Sequence, residues 1–275
     1  MAIAPNISDP WISPRNRVPD SRLRLFCLPH AGSGIAAYHL WKRTLPSFVE
    51  LCPIQLPGRE VRIAEAPLPN LAALVNQMAD AVTPWLDKPY AIFGHSMGAL
   101  LAYELAQTLR ARGLPAPLHL FVSGRIAAHL DLPGRPIHQL PAPEFLAELG
   151  ARYEGLPDEL LNDPEMLELF LPILRADITV IETYRFPHGD PSRGPLPCPI
   201  TAFSGASDKS VSYESLLAWQ RHTSAAFDAH RLPGGHFYLW NESRAALLDQ
   251  LCVRLLALDP ATATTAGLHA APVAG

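Results

Sequence analysis

The chain has 275 residues, 48% hydrophobic and 17% charged, enough to bury a substantial core in one large α/β domain or two small ones. Its formal net charge is −4 and no basic block occurs, which removes the electrostatic basis for nucleic-acid binding. No apolar run is long enough to cross a bilayer, and residues 1–22 show no basic-then-apolar leader pattern, so no membrane association and a cytoplasmic location are expected.

In chain order, residues 1–22 read as a loosely ordered lead-in. Arg22 to Leu28 alternates and ends apolar, as a strand does. The loop Pro29-His30-Ala31-Gly32-Ser33-Gly34 leads into a helix expected over Ala36 to Leu45. Val49 to Leu56 is a second strand, and Pro53 argues for a sheet edge or a break there. Leu71 to Leu86 carries apolar residues at Leu71, Leu74, Val75, Met78, Ala79, Val82 and Leu86, one face of a helix, with Asn70 as N-cap. Tyr90 to Phe93 is a strand and Ala99 to Arg112 a helix stopped by Gly113. Leu118 to Ser123 is the next strand. This βαβ alternation implies a parallel sheet covered on both faces.

The pattern changes after Gly124. From Arg125 to Tyr184 the chain reads as helical pieces, at Ala142 to Leu149, Asp158 to Leu161 and Pro164 to Tyr184. Asp163-Pro164-Glu165 is a helix start, and Pro172 should kink or divide that helix. A helical insertion rich in large apolar residues, lying over a sheet, is expected to act as a lid, the alternative being that its helices simply cover one face of the core. Strands at Pro199 to Ser204 and Phe227 to Leu232, a helix at Tyr213 to Thr223 and a closing helix at Ser243 to Leu258 complete one domain over 23–258. The Ala/Thr/Pro/Gly tail, 259–275, reads as mobile. Cys27, Cys52, Cys198 and Cys252 lack metal-ligand spacing and read as reduced thiols, mostly buried.

The chemistry centres on Gly94-His95-Ser96-Met97-Gly98, a Gly-x-Ser-x-Gly motif between a strand and a helix. In that setting the motif is a nucleophile elbow, with Ser96 at its tight turn. A serine hydroxyl needs a base, and the base needs an acid to fix its tautomer. In the chain order Ser, acid, His, with each group at the C-terminal end of a strand, Asp208 is the acid and His236 the base. His236 is singled out from 11 histidines because it follows a late strand in a glycine-rich loop. His95, inside the elbow, is expected to point away from the base. The oxyanion needs backbone N–H donors, assigned to Met97 and Ala31, with the amides of His30 and Gly32 as alternatives to Ala31.

Pro29-His30-Ala31-Gly32, Pro57-Gly58-Arg59, Gly94 to Gly98, Leu174-Arg175-Ala176-Asp177, Glu182-Thr183-Tyr184 and Gly234-Gly235-His236-Phe237 together resemble the type II thioesterases. These are stand-alone editing enzymes of polyketide and nonribosomal peptide synthesis. The resemblance runs from about Leu23 to Leu258. It implies an α/β-hydrolase fold, a mostly parallel sheet with helices on both faces and a mobile helical lid over about 125–184. It implies hydrolysis of acyl groups stalled on the phosphopantetheine arm of carrier proteins, through Ser96, Asp208, His236 and the amides of Ala31 and Met97. No cofactor or metal is expected beyond the substrate's own arm, and a monomer is expected. Gly32-Ser33-Gly34, Phe237-Tyr238 and a long 188–197 loop depart from the family pattern and bear on substrate preference. Arg59 and Arg62 lie near the expected approach of an arm or acidic carrier, but read first as solvated surface residues. Two other functions fit the elbow: a carboxylesterase or lipase acting on small oxyesters, and a catalytically idle synthase-binding protein.

Overall fold

The computed structural model describes residues 10–13, 18–153 and 163–261. Six parallel strands form one sheet: β1 Leu23–Leu28, β2 Val49–Pro53, β3 Tyr90–His95, β4 His119–Ser123, β5 Ile200–Gly205 and β6 Phe227–Leu232. Their spatial order is β2-β1-β3-β4-β5-β6. β2 is an edge strand and ends on Pro53, where a missing N–H costs the sheet least. The helices are α1 Leu71–Val82, α2 Met97–Ala111, α3 Ala142–Tyr153, α4 Pro164–Thr183, α5 Tyr213–Leu217 and α6 Arg244–Ala257.

Side chains alternate across a strand, so each strand feeds two cores. Phe26 and Leu28 of β1 join the core under α1 and α2, while Leu23, Leu25 and Cys27 join the opposite one under α6. Burial on both faces is why β1 to β5 read as nearly continuous apolar runs. Trp11 and Ile12 of the lead-in are buried in the first core, and Ile12 bridges to Ile54. At the other end Asp259 pairs with Arg22. The rest of the tail from 262 on, and the helical piece expected at 158–161, lie outside the described residues.

Several boundaries differ from expectation. The helix expected over Ala36 to Leu45 is two 3₁₀ turns, Ile35–Tyr38 and Trp41–Arg43. Their fully buried residues are Tyr38 and Trp41, three apart, a spacing a 3₁₀ repeat aligns. The Tyr213 to Thr223 helix becomes 3₁₀ from Ala218. Pro172 does not divide α4, which runs unbroken through it. Proline removes the bond to the carbonyl four residues back, here Glu168, which is exposed and can be served by water. The buried residues of α4 begin at Ile173; before it Phe170 and Leu171 are only partly buried against the core. Asn70 and Asp163 cap α1 and α4 as their side chains predict, accepting from Ala73 N at 2.9 Å and from Glu165 N and Met166 N at 3.0 and 3.1 Å.

The strand order fixes where chemistry can gather. The chain passes from β1 outward to β2, then crosses back to β3 on the other side of β1. The crevice beyond the C-terminal ends of β1 and β3 is thus the switch point of the sheet, where α/β folds place their ligands. The loop after β1 carries Ala31 and Gly32, and the turn after β3 carries Ser96. The helical insertion, α3 and α4, enters between β4 and β5.

Candidate active site

Ser96 stands between β3 and α2 with φ 55° and ψ −116°, a sparsely populated conformation for a residue with a side chain. Its amide donates to the Ser123 carbonyl of β4 at 2.8 Å, which holds the turn down. The glycines on either side are there for space. A Cβ on Gly94 would lie 2.0 Å from the Gly98 carbonyl oxygen, and one on Gly98 would lie 2.1 Å from that of Leu28. The turn can therefore close against β1 only with bare backbone at both positions.

The three residues selected by chain order come together. His236 Nε2 lies 3.0 Å from Ser96 Oγ, and His236 Nδ1 lies 2.8 Å from Asp208 Oδ2. All three are buried, Ser96 at 6%, Asp208 at 6% and His236 at 3% exposure. Burial alone would raise the Asp208 pKa, but hydrogen bonds and charge from His236, with further bonds from Ser210, hold it below the usual carboxylate range. The carboxylate is thus ionised and fixes Nδ1 of the ring as the protonated nitrogen, leaving Nε2 free to accept from Ser96.

Three contributors escape sequence reasoning. Ser210 donates from Oγ to Asp208 Oδ1 at 2.6 Å and from its amide at 2.9 Å, and its Oγ lies 3.2 Å from His236 Nδ1. A serine two residues after an Asp is the mark of an Asx-type turn, the only trace in the sequence. Tyr153, at the end of α3, covers His236 with ring centroids 5.3 Å apart. Asp177 of α4 accepts the Gly32 amide at 2.7 Å and both terminal nitrogens of Arg59, so it fastens the insertion to the loop after β1. The Gly32 amide is thereby committed, which removes one of the alternatives to Ala31.

Arg59 and Arg62 are not solvated: both are buried, at 4% and 6% exposure. Arg59 pairs with Asp177, while Arg62 lies over the Trp11 ring and pairs with Glu65 at 2.6 Å. A planar guanidinium can satisfy several acceptors at once, so it survives burial where the sequence context suggested surface. His95 does not point away from the base. Its ring packs 5.0 Å from that of His236 and its Nδ1 lies 2.8 Å from Ser123 Oγ, which in turn meets the Tyr238 hydroxyl at 2.7 Å. Tyr238, a departure from the family pattern, thus ends a buried polar chain behind the elbow.

A cavity of about 630 Å³ opens beside Ser96, within the range of small-ligand sites. Its wall comes from the segment after β4, Tyr153, and the end of α4 with Tyr184 and Phe186. A buried serine–histidine–aspartate array beneath a helical insertion is the active site of a serine-nucleophile hydrolase. Among the described residues no group of three or more His, Cys, Asp or Glu is arranged to hold a metal ion, and no helix is long and apolar enough to cross a membrane. Cys27, Cys52 and Cys198 are buried, and Cys252 is half-buried.

Known proteins agree with this geometry. Residues 23–255 match the family described as thioesterase domain. The chain is 42% identical over 251 residues to the gramicidin S biosynthesis protein GrsT of Aneurinibacillus migulanus, covering 91% of this chain and 96% of that protein. Its structure is similar to RedJ, a thioesterase from the prodiginine pathway of Streptomyces coelicolor, with a TM-score of 0.77 at 41% identity over 85% of each chain. It is also similar to BorB, a type II thioesterase from the borrelidin cluster, with a TM-score of 0.78 at 35% identity over 90% of this chain and 98% of that one. The chain belongs to the thioesterase family, among the type II thioesterases of the α/β-hydrolase superfamily.

Proposed function

We propose that the protein hydrolyses acyl groups from the phosphopantetheine arm of carrier proteins, clearing stalled or aberrant chains from a polyketide or nonribosomal peptide synthase. The observation that carries this reading is the Ser96–His236–Asp208 chain of contacts at 3.0 and 2.8 Å, beneath a helical insertion, in a chain of this family. The proposal includes one catalytic domain over 23–258 with its lid at about 125–184. The enzyme works as a monomer in the cytoplasm, meeting carrier domains transiently.

In this reading Ser96 Oγ attacks the thioester carbonyl while His236 Nε2 takes the hydroxyl proton. The negative charge formed on the carbonyl oxygen is held by the amides of Met97 and Ala31. Met97 is the first residue of α2, where the helix dipole favours an anion, and Ala31 lies on the loop beyond the neighbouring strand. Collapse breaks the carbon–sulfur bond, and His236 returns its proton to the departing sulfur. A thiol of pKa roughly 8.5 leaves more readily than an alcohol, so little acid assistance is needed. Water then gives a proton to His236 and its hydroxide to the acyl carbon; the bond to Ser96 Oγ breaks, His236 returns the proton to Oγ, and the acid leaves.

The test is mass spectrometry of a panel of acyl-carrier proteins before and after incubation. Loss of the acyl mass with appearance of the free arm is expected, and no loss with Ser96→Ala. Hydrolysis of a matched oxyester with the acyl-carrier proteins untouched would overturn the proposal in favour of an esterase.

A further inference from the structure

Arg125 is the arginine of the active-site cavity that the chemistry above leaves unused and that has, among the described residues, no acceptor for its side chain. It follows Gly124 at the C-terminal end of β4 and lines the same cavity as Ser96. It is 7% exposed, and its Nε has no hydrogen-bond partner. Among the described residues no carboxylate pairs with its guanidinium. The other arginines on the cavity wall are engaged: Arg135 and Arg152 with Glu148, and Arg185 with the carbonyls of Glu182 and Tyr184. The two acids of the wall are no match for it. Glu182 is taken by the amides of Ile137 and His138 and by the His138 ring, and Asp131 is exposed.

A buried guanidinium without an acceptor is costly, because its desolvation is not compensated. Burial lowers the Arg125 pKa from its ordinary value, with the Tyr153 and Tyr184 hydroxyls as its electrostatic neighbours. Its backbone is pinned, since Trp219 Nε1 donates to the Arg125 carbonyl at 2.9 Å. The residue is therefore held in place by its backbone, and it lines the cavity that takes the substrate.

We propose that Arg125 is a specificity residue that binds an oxygen acceptor on the acyl chain, so that acyl groups bearing a keto or carboxylate oxygen are favoured over wholly hydrocarbon chains of the same length. This deepens the carrier-protein reading above and rests on it. The phosphate of the arm is the other anion that arrives with the substrate, but it lies at the far end of the arm from the thioester. Arg125 stands two residues beyond Ser123, whose carbonyl accepts the Ser96 amide, and it lines the cavity that Ser96 lines. An acceptor there satisfies the guanidinium; a hydrocarbon chain fills the cavity and leaves it dry and unpaired.

The experiment compares kcat/KM for butyryl-, acetoacetyl- and succinyl-carrier protein in the wild type, Arg125→Met and Arg125→Lys. The wild type is expected to favour at least one oxygen-bearing chain over butyryl by roughly 10- to 100-fold, the size of one hydrogen bond to a charged group. Arg125→Met should collapse that ratio while still releasing butyrate, and Arg125→Lys should restore part of it. The thioesters differ in intrinsic reactivity, but that difference is common to all three proteins, so the change in ratio is the readout. Equal treatment of the three substrates by the wild type, or an unchanged ratio in Arg125→Met, overturns the role of Arg125 while leaving the thioesterase reading intact. Failure to release any of the three overturns the carrier-protein reading, and this one with it. Should the methionine variant not fold, as its melting curve would show, the wild-type ratios and Arg125→Lys still decide the matter.

Discussion

Arg59 and Asp177 form a buried two-pronged ion pair, with contacts of 2.7 and 2.8 Å between residues 118 positions apart. One side belongs to the loop after β2 and the other to α4 of the insertion, and the same carboxylate holds the Gly32 amide beside Ala31. The pair thus couples helix α4 of the insertion to the loop expected to bind the oxyanion. Removing one partner strands the other charge in the interior, which typically costs about 3–5 kcal/mol. Asp177→Ala is expected to lose stability of that order in urea denaturation. Asp177→Asn keeps an acceptor for Gly32 and should lose less. Equal stability of both variants and the wild type would show that the pair does not hold the insertion down.

The triad gives the sharpest kinetic expectation. Ser96→Ala should abolish the acyl-enzyme, read as the absence of an acyl mass adduct on the protein, with the fold unchanged by circular dichroism. Asp208→Asn should reduce kcat by up to roughly 10⁴-fold, as in the well-studied serine protease triad, because the ring loses the partner that sets its tautomer. Near-normal turnover in Asp208→Asn would move the acid elsewhere.

Ser210 acts on the same carboxylate from outside the triad. Its hydroxyl is one of two Ser210 donors to Asp208 Oδ1, and the amide remains when the hydroxyl is removed. Ser210→Ala is therefore expected to lower kcat by about tenfold, the lower end for a hydrogen bond to a charged group, with KM unchanged. A change in KM alone would mean that Ser210 meets the substrate instead.

Stability should fall on the acid side of neutrality. Burial, aided by nearby positive groups, lowers the pKa of His30 and His222 to about 3 and that of His119 to about 4. In the unfolded chain these rings titrate near pH 6.5. Below that pH the unfolded state takes up protons that the native state refuses, so the loss begins near 6.5 and levels off only toward pH 3–4. Each ring contributes at most about 1.4 kcal/mol per pH unit in that window. Asp208, whose pKa is lowered, adds its own loss only below about pH 4, as its carboxylate is protonated. Denaturation midpoints should be level between about pH 7 and 8 and decline toward pH 5, with a shallower slope in His222→Gln. A flat profile across that interval would mean that these rings are protonated in the native protein.

Gly98→Ala tests the close approach of β1 and the elbow. The added methyl would meet the Leu28 carbonyl oxygen at 2.1 Å, a contact that backbone cannot relieve by a rotamer change. The variant should be recovered folded in low yield or be inactive. Wild-type yield together with wild-type activity would show that the elbow can open there.

Much of the fold was legible because parallel strands buried on both faces must be apolar throughout, and because caps such as Asn70 and Asp163 act through bonds a few residues away. The triad was legible for a related reason: the glycines around Ser96, the order of acid and base, and their position after strands are all local marks. Arg59, Arg62, Asp177, Tyr153 and Arg125 were not. Arg59 and Arg62 read as surface charges because a guanidinium gives no local sign of the acceptors it will meet. Asp177, mid-helix, gave no sign that it would face inward toward a loop 145 residues earlier.

The sequence by itself determined that this is a serine hydrolase with an α/β sheet, and which three side chains stand in the strand-end positions. Those properties follow from periodicity, turn chemistry and chain order. Tertiary structure decided what surrounds them: the ion pair that joins the helical insertion to the loop after β2, the Ser210 support under Asp208, and the unpaired guanidinium of a residue lining the same cavity as Ser96. Burial and charge pairing depend on which distant segments meet, and only closing the chain around the switch point between β1 and β3 brings them together.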